Sequence, residues 1–189
     1  MLALIATACT AEPTTTRTPA ARSETHLVDG YPIDRSLNGL VSWRDLDTVV
    51  IVDNVEFGTA VALPSRPGFP AVVTLAHARV RHGLMGRHTS GSQVATVFAG
   101  GDAEGMSVRA SRELAPSRSA LATKGTFLLA GETRSTPELG TVLDPLFVYR
   151  VESSGRVVSL LDSGGANARP TFTVAELTQA LNARAGHTR

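Results

Sequence analysis

The chain has 189 residues, of which 42% are hydrophobic, and its 18 lysines and arginines nearly balance 17 aspartates and glutamates, giving a formal net charge of +1. So small a charge supplies no overall field to attract nucleic acid, and a single cysteine, Cys9, excludes an internal disulfide. No apolar run approaches the roughly 20 residues that a membrane-spanning helix needs, so we expect any membrane attachment to be made through lipid.

The first residues combine an apolar run with the one cysteine. The run from Met1 to Ala8 is uncharged, and after Cys9 the sequence turns to threonine, proline and arginine. The segment Ile5-Ala-Thr-Ala-Cys9 resembles the lipobox of bacterial lipoproteins, in which small residues precede a cysteine that is diacylated and becomes the mature N-terminus. The resemblance implies that residues 1–9 are a signal-peptide remnant and lipobox, that Cys9 is the lipid attachment site, and that the protein is extracytoplasmic and anchored to the cell membrane. The alternative is a chance cysteine in a frayed N-terminus.

A segment of tether-like composition follows. From Thr10 to about Thr25 the chain is rich in threonine, proline, alanine and arginine and lacks apolar periodicity. Such a stretch cannot bury enough surface to offset the entropy lost on ordering, so we predict a flexible tether over residues 10–30. The remaining residues, 31–189, are enough for a single domain with a hydrophobic core.

The domain begins with a helix and continues with strands. Ser36 is a suitable N-cap for a helix over Ser36–Asp45, and the β-branched run Thr48–Val52 predicts a buried strand. A bulge or bend is expected at Gly58, where a second strand resumes. The further predicted strands are Thr59–Leu63, Ala71–Arg81, Gln93–Ala99, Ser107–Ala110, Thr126–Ala130, Leu146–Val151 and Arg156–Leu161.

The chain ends with a different pattern. Thr173-Val-Ala-Glu176 is a capping box, in which the threonine hydroxyl and the glutamate carboxylate bind each other's backbone amides. Apolar residues at helical spacing follow and predict a helix to about Arg184; they are Val174, Leu177, Ala180 and Leu181. Several short strands with one helix at each end predict a mainly β fold, a single closed or nearly closed barrel.

The order of these segments also carries a resemblance. The motifs, within about residues 36–160, are Thr48-Val-Val-Ile-Val52, Val73-Thr-Leu-Ala-His-Ala-Arg-Val-Arg-His-Gly83, Gln93-Val-Ala-Thr-Val97, Gly100-Gly101 and Lys124-Gly-Thr-Phe-Leu-Leu129. Together they resemble a group of uncharacterised exported bacterial proteins with an OB-like barrel, the kind also used by netrin-like and metalloprotease-inhibitor modules. The resemblance implies a single OB-like β-barrel with a short N-terminal helix and a C-terminal helix. Inhibitor function is not implied, because the disulfides of the tissue inhibitors have no counterpart here.

One set of residues suggests catalysis. His77 ends a segment like the strand that presents the histidine of trypsin-like hydrolases, Asp102 follows, and Ser163 stands in Asp-Ser-Gly-Gly. However, Ser163 lies 86 positions after His77 and only 26 residues follow the serine, which leaves little room for a second barrel. A serine hydrolase using His77, Asp102 and Ser163 is therefore the alternative, and the preferred prediction has no catalytic residue and no cofactor. The simpler interpretation of the Asp-Ser-Gly-Gly segment is a turn.

The longest predicted strand carries a basic stripe. Alternation places Leu75, His77, Arg79 and Arg81 on one face, and Thr74, Ala76, Ala78 and Val80 on the face toward the core. We take as candidate ligand-binding residues the stripe and its turn, namely His77, Arg79, Arg81, His82 and Arg87. Paired arginines suit carboxylate or phosphate groups, because their planar forks bind such groups bidentately. The simpler alternative is a solvated strand face.

These candidates define the expected partners. Beyond the membrane that Cys9 would bind, the partner is an anionic envelope component or another envelope protein, and the further alternative is a structural envelope protein without a ligand. No nucleic-acid partner is expected, because the stripe lacks the aromatic side chains on which bases stack. No metal is predicted either, since the spacings of His77, His82 and His88 do not ensure convergence and no acidic or cysteine ligand lies between them.

Overall fold

The computed structural model describes residues 25–28, 33–64, 71–110, 118–161 and 171–187. Within these ranges the chain is mainly β-structure. The elements, in chain order, are β1 (Thr25–Val28), α1 (Leu37–Ser42), β2 (Thr48–Ala62), β3 (Val72–Met85), β4 (Gln93–Ala99), β5 (Gly101–Ala103), β6 (Met106–Ala110), α2 (Arg118–Ala122), β7 (Thr126–Thr136), β8 (Gly140–Val151), β9 (Arg156–Ser159), β10 (Thr171–Thr173) and α3 (Val174–His187).

Five strands close into a ring in the order β2-β3-β4-β8-β7, with β7 returning to β2. Numbered along the chain, the neighbours are the first, second, third, fifth and fourth barrel strands, all antiparallel except the pair β4 and β8. This is the Greek-key connectivity of an OB barrel, with α2 between its third and fourth strands. The predicted OB-like β-barrel with a short N-terminal helix and a C-terminal helix is therefore confirmed.

Of the strand pairs in the ring, β4 and β8 have the shortest pairing. Their register consists of the single pair Thr96 and Leu143, where the Thr96 hydroxyl also donates to the Leu143 carbonyl oxygen at 3.0 Å. By contrast, β7 and β8 pair continuously from Thr126 and Val151 to Thr136 and Gly140, with one bulge. We call the junction of β4 and β8 the seam.

Strand alternation divides the buried side chains between two main cores. The barrel interior is filled by Val50, Val52, Val55, Ala76, Ala78, Val80, Val94, Phe98, Leu121, Phe127, Leu129, Leu143, Val148 and Leu161. The outer core packs between the sheet and the helices α1 and α3, and contains Leu40, Leu46, Val49, Ile51, Leu128, Ala130, Phe147, Tyr149, Val157, Phe172, Leu177 and Leu181. Because neighbours such as Val49 and Val50 enter different cores, β2 and β7 are apolar on both faces.

A smaller apolar cluster lies outside the barrel, where the hairpin of β7 and β8 folds over β3 and β4. Val142, near the start of β8, is buried against Val73 and Val97, and Leu139 in the hairpin turn packs on the same cluster. The hairpin thereby covers part of the outer face of β3 and β4. The uncovered part of that face carries the polar residues of the candidate site.

Both predicted helix caps are present. The Ser36 hydroxyl accepts from the Gly39 amide at 3.2 Å, although α1 ends at Ser42 rather than Asp45. At the other end, the Glu176 amide donates to the Thr173 hydroxyl oxygen at 3.2 Å and the Thr173 amide donates to the Glu176 carboxylate at 2.7 Å. The bond from the Thr173 amide lowers the pKa of Glu176, and so does a second bond that the Thr173 hydroxyl donates to the same carboxylate at 2.9 Å.

Several predicted boundaries were wrong. Thr48–Val52 and Thr59–Leu63 belong to one strand, β2, because pairing with β3 continues through irregularities, one of which lies between Phe57 and Ala60. The strand predicted to end at Arg81 continues to Met85. In the predicted tether, Thr25–Val28 forms β1, which pairs in parallel with β6. The other elements not predicted are β5, β10 and α2.

Candidate functional site

The outer face of β3 holds the predicted basic stripe. As the alternation predicts, Ala76, Ala78 and Val80 are buried, and His77 and Arg79 are exposed between them. Across the sheet, His77 pairs with Glu56 on β2 and Ala95 on β4, and Arg79 pairs with Asp53 and Gln93. The stripe is therefore flanked by carboxylates on one side and by a neutral strand on the other.

A cleft of about 290 Å³ opens beside this stripe at the seam. Its walls come from β3, the turn between β3 and β4, the first half of β4, and the arms of the β7–β8 hairpin. The lining residues are His77, Arg87, His88, Gln93, Ala95, Thr133, Thr141, Val142 and Leu143. The cleft thus lies on the second and third strands of the barrel, the face with which OB folds bind extended ligands.

One side of the cleft is held by Asp47, which immediately precedes β2. Its carboxylate accepts from the Thr133 amide at 2.9 Å and from the Thr133 hydroxyl at 3.0 Å. The Thr133 hydroxyl is also 2.8 Å from that of Thr48. Because Asp47 and Thr133 are far apart in sequence, this network fixes the hairpin arm against the barrel.

Two glycines bring the turn between β3 and β4 against the same region. Gly86 has φ +91°, and a Cβ there would lie 2.9 Å from the carbonyl oxygen of Asp47. At Gly83, a Cβ would overlap the carbonyl oxygen of His88. Neither position tolerates a side chain without a shift of the turn, so the glycines define where Arg87 and His88 stand.

The charges around the cleft are mixed. Burial lowers the pKa of His88 below its ordinary value of 6.5, and the nearby Arg87 lowers it further, whereas Asp47 acts in the opposite direction. His88 is therefore neutral at pH 7, where it offers one donor and one acceptor. The permanent cation among the described lining residues is Arg87, whose side chain is exposed.

The structure does not bring all five candidate binding residues into the cleft. His77 and Arg87 line it, and Arg79 stands next to it through its cross-strand neighbour Gln93. Arg81 faces away toward Asp53, with N–O distance 3.7 Å, and donates to the Thr126 hydroxyl at 3.2 Å. His82 is exposed and is not among the described lining residues.

Sequence reasoning noted His88 in the basic turn but did not select it as a binding residue, and it did not single out Gln93, Thr133 or Thr141. Their polarity is ordinary for turns and strand ends, so no local pattern distinguishes them. They meet at the cleft because the fifth barrel strand lies beside the third, a fact of topology rather than of spacing. The strand order implied by the resemblance to an OB-like barrel was the signal that could have joined them.

The alternative catalytic and metal sites gain no support from the described residues. The Asp102 carboxylate accepts from the Ser107 hydroxyl at 2.6 Å and lies 4.0 Å from Arg109, in the hairpin of β5 and β6. Ser163 lies outside the described residues, as does Cys9. Within the described ranges, no three histidine, cysteine or acidic side chains are grouped so that they could hold a metal.

Among the helices that the structure describes, none is both long and apolar enough to cross a bilayer. Comparison of the chain with protein-family models, with curated proteins and with solved structures gave no match. The geometry and chemistry of the cleft are therefore what point to a function for this chain.

Proposed function

We propose that this chain is an extracytoplasmic, membrane-tethered lipoprotein whose OB-like barrel binds an anionic component of the cell envelope without catalysing a reaction. The observation that carries the binding proposal is the cleft at the seam, where Arg87 and His77 from β3 and its turn face polar groups of β4 and the β7–β8 hairpin. Acylation of Cys9 would provide the tether.

The position of the cationic side chains supports an anionic ligand. Arg79 and Arg87 are both exposed, and neither forms an ion pair with another described residue, in contrast to Arg81. Each basic residue near an anionic surface contributes about 1 kcal/mol, so two arginines can orient the domain but cannot anchor it alone. In this proposal the acyl chains anchor the protein and the cleft selects its partner.

The binding test compares charge-removing variants at low ionic strength, where surface electrostatics are least screened. We would measure retention of the full-length chain on polygalacturonate beads and on phosphatidylglycerol vesicles. Arg79→Ser combined with Arg87→Ser is expected to lower retention about tenfold or more on at least one of them. Arg156→Ser, which removes an exposed arginine from β9, is the matched control and should retain like the native chain. Unchanged retention of the double variant on both matrices would overturn the binding proposal.

The tether has a separate test. The Cys9→Ser variant, expressed with a full export signal, should move from the membrane fraction to the soluble exported fraction. Mass spectrometry of the native N-terminus should find a diacylated cysteine. Recovery of an unmodified thiol behind an intact Met1, in cytosolic material, would refute both the acylation and the compartment.

A further inference from the structure

We infer that the cleft takes a single carboxylated sugar unit, that is, a ring bearing one carboxylate and several hydroxyl groups. This inference rests on the proposed function, because it specifies the anion that the cleft would bind. Its basis is the chemical make-up of the lining, which combines little charge with many neutral hydrogen-bonding groups.

The charge count favours a monoanion. Arg87 is the permanent cation among the described lining residues, and the Asp47 carboxylate lies close enough to His88 to act on its charge. Sites for phosphate groups or phosphate polymers commonly gather several cations, because these ligands carry more negative charge. Inside the cleft, one guanidinium with a carboxylate nearby suits one carboxylate, bound bidentately, whereas Arg79 stands outside the lining beside Gln93.

The neutral groups account for the rest of the ligand. Gln93 is exposed at the start of β4 and offers both an amide donor and a carbonyl acceptor, and His88 in its neutral form offers the same pair. The Thr141 hydroxyl, 2.9 Å from that of Ser135, keeps further hydrogen-bonding capacity. Donors and acceptors placed side by side match sugar hydroxyls, each of which both donates and accepts.

The volume of the cleft and its small apolar surface agree with a single sugar acid as the ligand. The volume, about 290 Å³, lies at the lower end for small-molecule sites and suits a ligand of one or two rings. Ala95 supplies a small, half-buried apolar surface between His77 and Gln93, against which the C–H groups of a ring can pack. An extended lipid or a long peptide would leave most of its surface outside so small a cleft.

The test uses four small probes with the full-length chain in mild detergent, titrated by calorimetry and by amide chemical shifts. The probes are D-glucuronate, D-glucose, acetate and inorganic phosphate. Glucuronate is expected to bind at least about tenfold more tightly than each of the others, because it alone satisfies both the guanidinium and the neutral groups. Shift changes should concentrate at residues 93–95 and 141–143.

Two variants separate the parts of the interaction. Arg87→Gln should weaken glucuronate and acetate alike, by about tenfold for glucuronate. Gln93→Ala should weaken glucuronate several-fold and leave acetate unchanged, whereas Gln179→Ala, on the exposed surface of α3, should affect neither.

The outcomes distinguish this inference from the proposed function. Equal affinity for acetate and glucuronate, or tighter binding of phosphate, would overturn the sugar assignment while leaving an anion-binding cleft. If the chain binds the vesicles strongly but does not bind glucuronate, the anion is a lipid headgroup, and the sugar assignment is again overturned. If the double variant at Arg79 and Arg87 is retained on beads and vesicles like the native chain, the proposed function itself is overturned, and the sugar assignment with it.

Discussion

The turn that carries Arg87 and His88 owes its position to the absence of a side chain at Gly83. A Cβ at this position would overlap the carbonyl oxygen of His88, and the His88 carbonyl carbon would lie only 3.1 Å away. We therefore expect Gly83→Ala to push the turn away from β3 and, with it, the cation and the imidazole of the cleft. The backbone of Gly83 is not in the left-handed region, so the effect of the substitution is one of space.

The size of the destabilisation expected for Gly83→Ala follows from the overlap between its Cβ and the His88 carbonyl oxygen. Contacts of a Cβ with other heavy atoms below 3.0 Å are essentially never seen, so the backbone of the turn must retreat. The retreat should be about 1 Å, at a cost of about 1–3 kcal/mol in the free energy of unfolding. Because the turn is exposed and can move, we expect a value near 1 kcal/mol, which corresponds to a drop in Tm of about 2–4 °C for a domain of this size. With the guanidinium about 1 Å out of place, the loss of a charge-assisted hydrogen bond worth about 1.5 kcal/mol should weaken glucuronate binding about tenfold.

The measurements are thermal unfolding and glucuronate titration of Gly83→Ala beside Gly186→Ala. Gly186 lies in α3 with no atom within 4 Å of a Cβ, so alanine there should leave binding unchanged and raise stability by up to about 1 kcal/mol. A Gly83→Ala variant that unfolds and binds like the native chain would show that the turn is not held by this contact, and the reasoning would fail.

Other perturbations test the fold and its titration. Leu177→Ala, at a side chain with no exposed surface in the outer core, should lower the free energy of unfolding in urea by about 2–5 kcal/mol, and a loss below about 1 kcal/mol would contradict the packing. Tyr149→Phe removes the buried hydroxyl that donates to the Arg35 carbonyl oxygen at 3.0 Å and should cost about 1–3 kcal/mol; no change would mean that water replaces the bond. Thr173→Ala removes the α3 cap and should cost about 1 kcal/mol, to be checked by the same urea series against Thr173→Ser, which keeps the hydroxyl. Folding lowers the pKa of His88, so as the pH falls the unfolded chain protonates this imidazole before the folded chain does. The free energy of unfolding should therefore decrease as the pH drops through 6.5 toward the lowered pKa. His88→Gln should flatten that part of the stability–pH curve, and an unaltered curve would refute the assignment.

The sequence predicted the barrel well because its strands obey simple periodicity. The alternation from Thr74 to Arg81 placed each side chain on its observed face, and the bounds Gln93–Ala99 agree with β4. The capping box at Thr173 located the start of α3 for a local reason, since its bonds join residues three apart.

The cleft could be predicted only in part, because contacts between segments distant in sequence bring most of its residues together. His77 and Arg87 stood out by charge, but their neighbours Gln93, Thr133 and Thr141 come from segments distant in sequence. Joining them needs the order of strands around the barrel, which depends on long-range pairing rather than on local propensity. Short strands such as β5 and β10 were missed because three residues carry too little periodicity to be detected.

Because the cleft lies at the seam, a ligand bound there as proposed would also stabilise the barrel. Where β4 and β8 share one register pair, a molecule that touched Gln93 on one strand and Thr141 on the other would add a connection to the one made by Thr96 and Leu143. A ligand bound as proposed would therefore raise the melting temperature and slow deuterium uptake along these two strands. A thermal-shift screen of sugar acids would thus detect binding as a rise in melting temperature, without any label on protein or ligand.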